Sequence, residues 1–123
     1  MITTAWLTIG TDHFTAVVEF YRLVLQQDPH PWHPDRYAEF HLPGLRLGIF
    51  RPQVDHQGEF AQADQSGFSL CLEVDNLERA IAQFQRGDLA LNPGQIQTAS
   101  HGREIYSYDP AGNRIILHES FSP

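Results

Sequence analysis

A chain that repeats its own order of strands and helix can fold only in ways that accept two copies of one unit. This chain repeats. An offset of 63 positions lays Leu7 on Leu70, Ile9 on Leu72, Asp12 on Asp75, Phe14 on Leu77, Val17 on Ala80, Val18 on Ile81 and Tyr21 on Phe84. An offset of 68 lays Gly44 on Gly112, Arg46 on Arg114, Leu47 on Ile115, Gly48 on Ile116, Ile49 on Leu117 and Phe50 on His118. The difference falls in the intervening loops, where extra length costs little. Amphipathic helices resemble one another by chance, but agreement at both ends, in order, points to a duplicated βαβββ unit.

The local pattern supplies the elements. ITTAWLTIG alternates, with Ala5, Leu7 and Ile9 on one face and Thr4, Trp6 and Thr8 on the other, as a half-buried strand does. Thr11 or Asp12 can cap a helix carrying Phe14, Val17, Val18, Tyr21 and Leu25 on one side, and the prolines of QDPHPWHPD end it. YAEFHL and LRLGIFR follow as strands around a turn at Pro43-Gly44, and the polar stretch from Pro52 to Gln65 connects the halves. GFSLCLEV opens the second half as a strand, and Asp75 with Glu78 predicts a capping box for a helix with Leu77, Ala80, Ile81 and Phe84 facing inward. QIQTAS, REIYSY and NRIILHE read as three strands, the last two joined by a turn in which Pro110 presets φ and Gly112 permits a positive one.

Composition narrows the function classes. A 123-residue chain with 41% apolar and 19% charged residues fits one globular domain, here of two modules at roughly 1–55 and 66–123. The formal charge of -7, without clustered Lys or Arg, argues against nucleic acid and suits a cationic ligand. The single cysteine, Cys71, excludes an intrachain disulfide and fits a reducing compartment. No apolar run approaches the ~18 residues of a membrane span and no signal peptide is evident, so a cytoplasmic location is expected.

Three segments carry a family resemblance: Phe20, Tyr21, Val24 and Leu25 at the end of the first helix, Leu72 to Ala80, and YDPAGNRIIL. Together they resemble the vicinal oxygen chelate superfamily, which includes lactoylglutathione lyases, extradiol dioxygenases, fosfomycin-resistance transferases and bleomycin-resistance proteins. The resemblance implies an α+β fold of two βαβββ modules, the glyoxalase/bleomycin-resistance/dioxygenase fold, whose eight strands curve around a cleft. It also implies a homodimer. Catalytic members of the superfamily hold a divalent metal through a His on the first strand and a Glu or His on the last strand of each module. Those four positions fall here on Trp6, Gly48, Ser69 and Ile116. Three have no ligand atom and a serine hydroxyl is a poor one, so neither a metal nor another cofactor is expected.

The period of two places Arg114, Ile116 and His118 on one face, with Arg46, Gly48 and Phe50 on the matching one. A cleft lined by Trp6, Phe50, Ser69, Ile116, His118 and Tyr106 would be mostly apolar with a few polar groups, which is the make-up of a small-molecule pocket. The competing reading is that Trp6 and Phe50 collapse inward and fill it. His13, His30, His33, His56 and His101 fall in turn-like stretches or at a helix start and are expected in solvent, and Cys71 is expected as a small buried hydrophobe. The sequence favours a metal-independent protein that binds a cationic or aromatic small molecule. The alternative is a glyoxalase- or dioxygenase-type enzyme with a rearranged metal site drawn from Glu39, His41, His118 and Glu119.

Overall fold

A computed structural model describes residues 1–86, 91 and 93–121. The chain divides into two compact units, Met1–Gln62 and Ala63–Pro123. In the first, β1 (Leu7–Gly10) leads into α1 (Phe14–Leu25), followed by β2 (Trp32–His33), β3 (Tyr37–Leu42) and β4 (Leu45–Phe50). In the second, β5 (Leu70–Glu73) leads into α2 (Leu77–Gln85), then β6 (Gln97–Ala99), β7 (Gly102–Tyr108) and β8 (Arg114–Ser120). The sheet orders are β1-β4-β3-β2 and β5-β8-β7-β6. In each, the first strand runs parallel to the last and the other pairings are antiparallel. The eight expected strands are therefore present as two four-stranded mixed sheets, each open rather than closed into a barrel.

The duplication holds at the level of register. Leu7 pairs with Leu47 as Leu70 pairs with Ile115, and Ile9 pairs with Ile49 as Leu72 pairs with Leu117. In the first unit α1 lies against β4, burying Phe14, Val17, Val18 and Tyr21 with Ala38, Phe40, Leu47 and Ile49. In the second, α2 lies against β8, and Leu77, Ile81 and Phe84 are buried with Ile105, Ile115 and Leu117. Period-two alternation turns the remaining residues of each sheet to the face away from the helix.

Both strand-joining turns use a glycine where the backbone demands it: φ is +80° at Gly44 and +96° at Gly112, where an L side chain is strained. Asp109, itself buried, organises the second turn by accepting hydrogen bonds from the backbone N–H of Ala111 and Asn113 and from the Asn113 amide.

The capping expectations need correction. The residue that caps α2 is Asn76, whose side chain accepts from the Arg79 N–H at 2.8 Å. Glu78 does not close a capping box; it pairs with Arg103 at 2.8 Å, and Glu119 from β8 accepts the Leu77 N–H. α1 starts after His13 with no side-chain cap, although Thr11 accepts the His13 N–H. The proline-rich stretch contains β2, the strand that the βαβββ unit requires but that local pattern did not locate. The connector carries 3-10 turns at Val54–Phe60 and Ala63–Gln65.

Candidate functional site

The face of each sheet away from its helix can be described as three rows crossing three strands, in the order first, last and third strand of the unit. In the first unit the rows are Gly10, Phe50 and Tyr37; then Thr8, Gly48 and Glu39; then Arg46 and His41, with Trp6 one residue before β1. In the second they are Glu73, His118 and Glu104; then Cys71, Ile116 and Tyr106; then Arg114 and Tyr108, with Ser69 one residue before β5.

The first face is covered by its own side chains at Gly10 and Gly48, whereas Trp6, Thr8 and His41 stay exposed. Tyr37 reaches over Gly48, where an added Cβ would lie 2.7 Å from the phenol oxygen. Its hydroxyl donates to Glu39 Oε1 at 2.7 Å, and the Glu39 side chain is only 10% exposed. Burial, then the hydrogen bond to Glu39, then the Glu39 charge push the Tyr37 phenol pKa up, because all three disfavour a phenolate. His41 Nε2 lies 2.9 Å from Glu39 Oε2 and 3.1 Å from the His30 carbonyl oxygen. Both neighbours are acceptors, so Nε2 carries the proton. Arg46 completes the cluster, 3.8 Å from Glu39, hydrogen-bonded to the Thr4 hydroxyl and lying over the Trp6 ring at 5.2 Å. In the top row Phe50 packs edge-on against Phe60 at 5.2 Å, and the two rings cover Gly10.

The second face is open. Cys71, Tyr106 and Tyr108 are exposed, and Ile116 is half-buried between Cys71 and Tyr106. Exposure of Cys71 corrects the expectation of a buried hydrophobe, although partial burial, then the charges of Glu104 and Glu73, still push its thiol pKa up and disfavour the thiolate. His118 Nδ1 lies 2.7 Å from Glu73 Oε1, and its side chain is 16% exposed. The imidazole, then the Ser120 backbone N–H, hold the Glu73 carboxyl below its ordinary range. This fixes the ring while Nε2 has no partner among the described residues. Arg114 donates through Nε to Ser69 Oγ at 2.6 Å and through a terminal nitrogen to the Ser66 and Phe68 carbonyls. Tyr106 and Tyr108 border a groove of about 440 Å³ with Ile96 and Gln97.

The sequence-predicted site residues thus fall into two sets. Trp6 and Phe50 lie on the first unit's face, where Arg46 and Phe60 already contact them. Ser69, Ile116, His118 and Tyr106 lie on the second unit's face, and Ile116 stands directly between Cys71 and Tyr106. Sequence reasoning missed Tyr37, Phe60 and Glu73, and it placed the two arginines on these faces without giving them a role. The arginines had a signal: Arg46 and Arg114 match under the duplication and contact the matching residues Trp6 and Ser69. The five turn-region histidines are all exposed. Among the described residues, no three His, Cys, Asp or Glu side chains gather in a geometry that could hold a metal.

No family model and no curated protein sequence matches the chain. Solved structures do. A glyoxalase/bleomycin resistance protein from Catenulispora acidiphila superposes with a TM-score of 0.71 at 19% identity, over 98% of this chain and 100% of that one. The bleomycin-binding protein of Streptomyces verticillus, solved with copper(II)-bleomycin, gives 0.66 at 21% identity over 98% of both chains. A fosfomycin resistance protein from Listeria monocytogenes gives 0.69 at 15% identity, over 98% of this chain and 94% of that one. At these identities the likeness establishes the fold, and it is the fold that the sequence resemblance implied.

Proposed function

We propose that this chain is a vicinal-oxygen-chelate-type protein that binds a small cationic or aromatic molecule and works without a metal at the positions where catalytic members of that superfamily hold one. The observation that carries this reading is the pair of arginines. Arg46 lies over Trp6 and Arg114 is bonded to Ser69, so a permanent cation sits against each first-strand position that would have to supply a metal ligand. A metal ion about 5 Å from a guanidinium would meet a repulsion of roughly 3 kcal/mol per unit of its charge at an effective dielectric of about 20. Trp6, Gly48, Ser69 and Ile116 offer almost nothing to offset it.

Ligand contacts are assigned to Ser69, Ile116, His118 and Tyr106 in the second unit and to Trp6 and Phe50 in the first. Exposed phenol faces, one oriented imidazole and an apolar centre are what a planar ligand requires. The negative net charge favours a cationic group on it. Among the solved structures of the same fold, one holds copper(II)-bleomycin. Covering the exposed faces and sheet edges of so small a chain favours a homodimer, and the lone cysteine suits a reducing, cytoplasmic setting. Among the described residues, no helix is long and apolar enough to cross a membrane.

The enzymatic alternative has one observation in its favour: Glu73 orients His118 as a carboxylate orients a proton-transferring imidazole. Elemental analysis of protein purified without a metal-affinity tag, run with a thermal-shift screen of aromatic and cationic compounds, separates the readings. Binding without stoichiometric metal supports sequestration, with His118→Ala and Trp6→Ala losing more affinity than melting temperature. Stoichiometric nickel, zinc, iron or manganese would overturn it.

A further inference from the structure

The open face of the second unit carries two charges that the fold leaves without a counter-charge, and their signs differ. Arg114 spends its hydrogen bonds on the Ser69 hydroxyl and on the carbonyls of Ser66 and Phe68, all neutral acceptors. It forms no ion pair among the described residues. The Glu104 side chain makes neither an ion pair nor a hydrogen bond among them. Its charge is nevertheless felt across the face, since it is one of the two carboxylates acting on the Cys71 thiol.

The register fixes where these charges stand. Glu104 pairs with His118, whose other neighbour in the row is Glu73, so this end of the face is acidic. Arg114 pairs with Tyr108 and lies four residues earlier on the same strand as His118. At about 3.4 Å per residue, the basic and acidic rows are roughly 14 Å apart. Between them lies the row of Cys71, Ile116 and Tyr106, which carries no charge and leaves Tyr106 42% exposed.

We propose that this face takes a zwitterion. A carboxylate or phosphate sits on Arg114, a planar apolar body lies over Ile116 and Tyr106, and an ammonium points toward Glu104 and Glu73. This deepens the small-molecule reading above and rests on it. A ligand with anions at both ends would meet Glu104 and Glu73, and a ligand with two cations would meet Arg114. Only opposite charges at the two ends satisfy both.

The test is isothermal calorimetry of the full chain with three biphenyl probes. One is aminomethylbiphenylcarboxylate, with ammonium and carboxylate at opposite para positions; the others are biphenylcarboxylate and biphenylmethylamine. The zwitterion is expected to bind about tenfold more tightly than either singly charged probe, as one charge-assisted contact allows. Arg114→Gln should abolish its advantage over biphenylmethylamine, and Glu104→Gln its advantage over biphenylcarboxylate. Because Arg114 also ties down the segment before β5, Arg114→Lys is the companion variant, and it should keep the preference if the charge is what matters. Equal binding of all three probes overturns the charge assignment while leaving aromatic binding intact. A zwitterion preference that survives both neutralising variants overturns it too. Binding of none of the probes overturns both readings.

Discussion

Replacing Gly48 by alanine tests whether the first unit's face is closed by Tyr37. The backbone of Gly48 is not in the left-handed region, so alanine is tolerated conformationally. The new methyl carbon would stand 2.7 Å from the Tyr37 hydroxyl oxygen and 3.1 and 3.2 Å from two ring carbons. The ring has to swing aside, and with it goes the 2.7 Å hydrogen bond to the nearly buried Glu39. A hydrogen bond to a charged acceptor is worth roughly 1.5–3 kcal/mol, and the Gly-to-Ala change returns about 0.4–1 kcal/mol through the unfolded chain. Gly48→Ala should therefore destabilise by about 1–2 kcal/mol in urea unfolding. An ultraviolet titration of tyrosinate supplies the second readout. Tyr37 holds its proton above the ordinary 10.0 because it is partly buried and hydrogen-bonded to Glu39. A raised folded-state pKa gives stability that is complete below pH 10.0 and is lost as pH rises through the folded value. In Gly48→Ala that alkaline increment should shrink and one tyrosine should titrate earlier. In a Tyr37→Phe background no hydrogen bond remains to be lost, so the cost of Gly48→Ala should fall. A Gly48→Ala protein as stable as the parent, with an unchanged tyrosinate titration, would refute the reasoning.

Asn76→Ala should cost about 1 kcal/mol in denaturant unfolding, whereas Asp75→Ala should stay within about 0.5 kcal/mol; the reverse order would restore the cap that the sequence suggested. Glu119 is held below its ordinary 4.5 by the Leu77 N–H first and Arg103 second, and Glu73 by His118 first. Both lowered carboxyls contribute stability above 4.5 that is lost as pH falls through their folded values, so Glu119→Gln should flatten the acid limb of the stability profile; parallel profiles would contradict this. Phe60→Ala should remove the edge-on contact with Phe50, worth roughly 0.5–1.5 kcal/mol beyond area burial, and dim the near-ultraviolet circular dichroism; an unchanged spectrum would place Phe60 outside the packing.

The parts of the fold that local pattern controls were legible. Helical spacing and the glycine turns gave α1, α2, β7 and β8, and the double offset fixed which strands correspond. β2 was not legible, because two residues between prolines have no periodicity to read. The α2 cap was misread because Asp75 and Asn76 can both cap, and only the extended backbone at Asn76 decides between them. For the site, the period of two turned Trp6, Phe50, Ile116 and His118 away from the helices, but no pattern says what each then meets. Arg46 over Trp6, Phe60 against Phe50 and Glu73 on His118 join residues 40, 10 and 45 positions apart in the chain. Cys71 lies on the strand face of Ser69, away from the helix, where the side chain is exposed rather than buried as a small hydrophobe.

The same register explains why two copies of one unit end with different faces. Glu39 stands opposite Gly48 as Tyr106 stands opposite Ile116, and Tyr37 stands opposite Phe50 as Glu104 stands opposite His118. In the first unit, the missing side chain at Gly48 leaves room for Tyr37 to lean across the middle row, where its hydroxyl donates a hydrogen bond to Glu39. In the second, Ile116 fills that room with a branched side chain, and Glu104 is too short and too polar to lie over it. Three exchanges at matching positions, Gly48 for Ile116, Tyr37 for Glu104 and Glu39 for Tyr106, therefore close the middle of one face by hydrogen bonding and leave the other apolar at its centre and charged at its ends. The reciprocal substitution Ile116→Gly would not close the second face, because no phenol stands at position 104 to cover the gap. It would deepen the middle row instead. An apolar ligand held over Ile116 should then lose its contact with that branched side chain, while a ligand held only by its charges at Arg114 and Glu104 should keep its affinity.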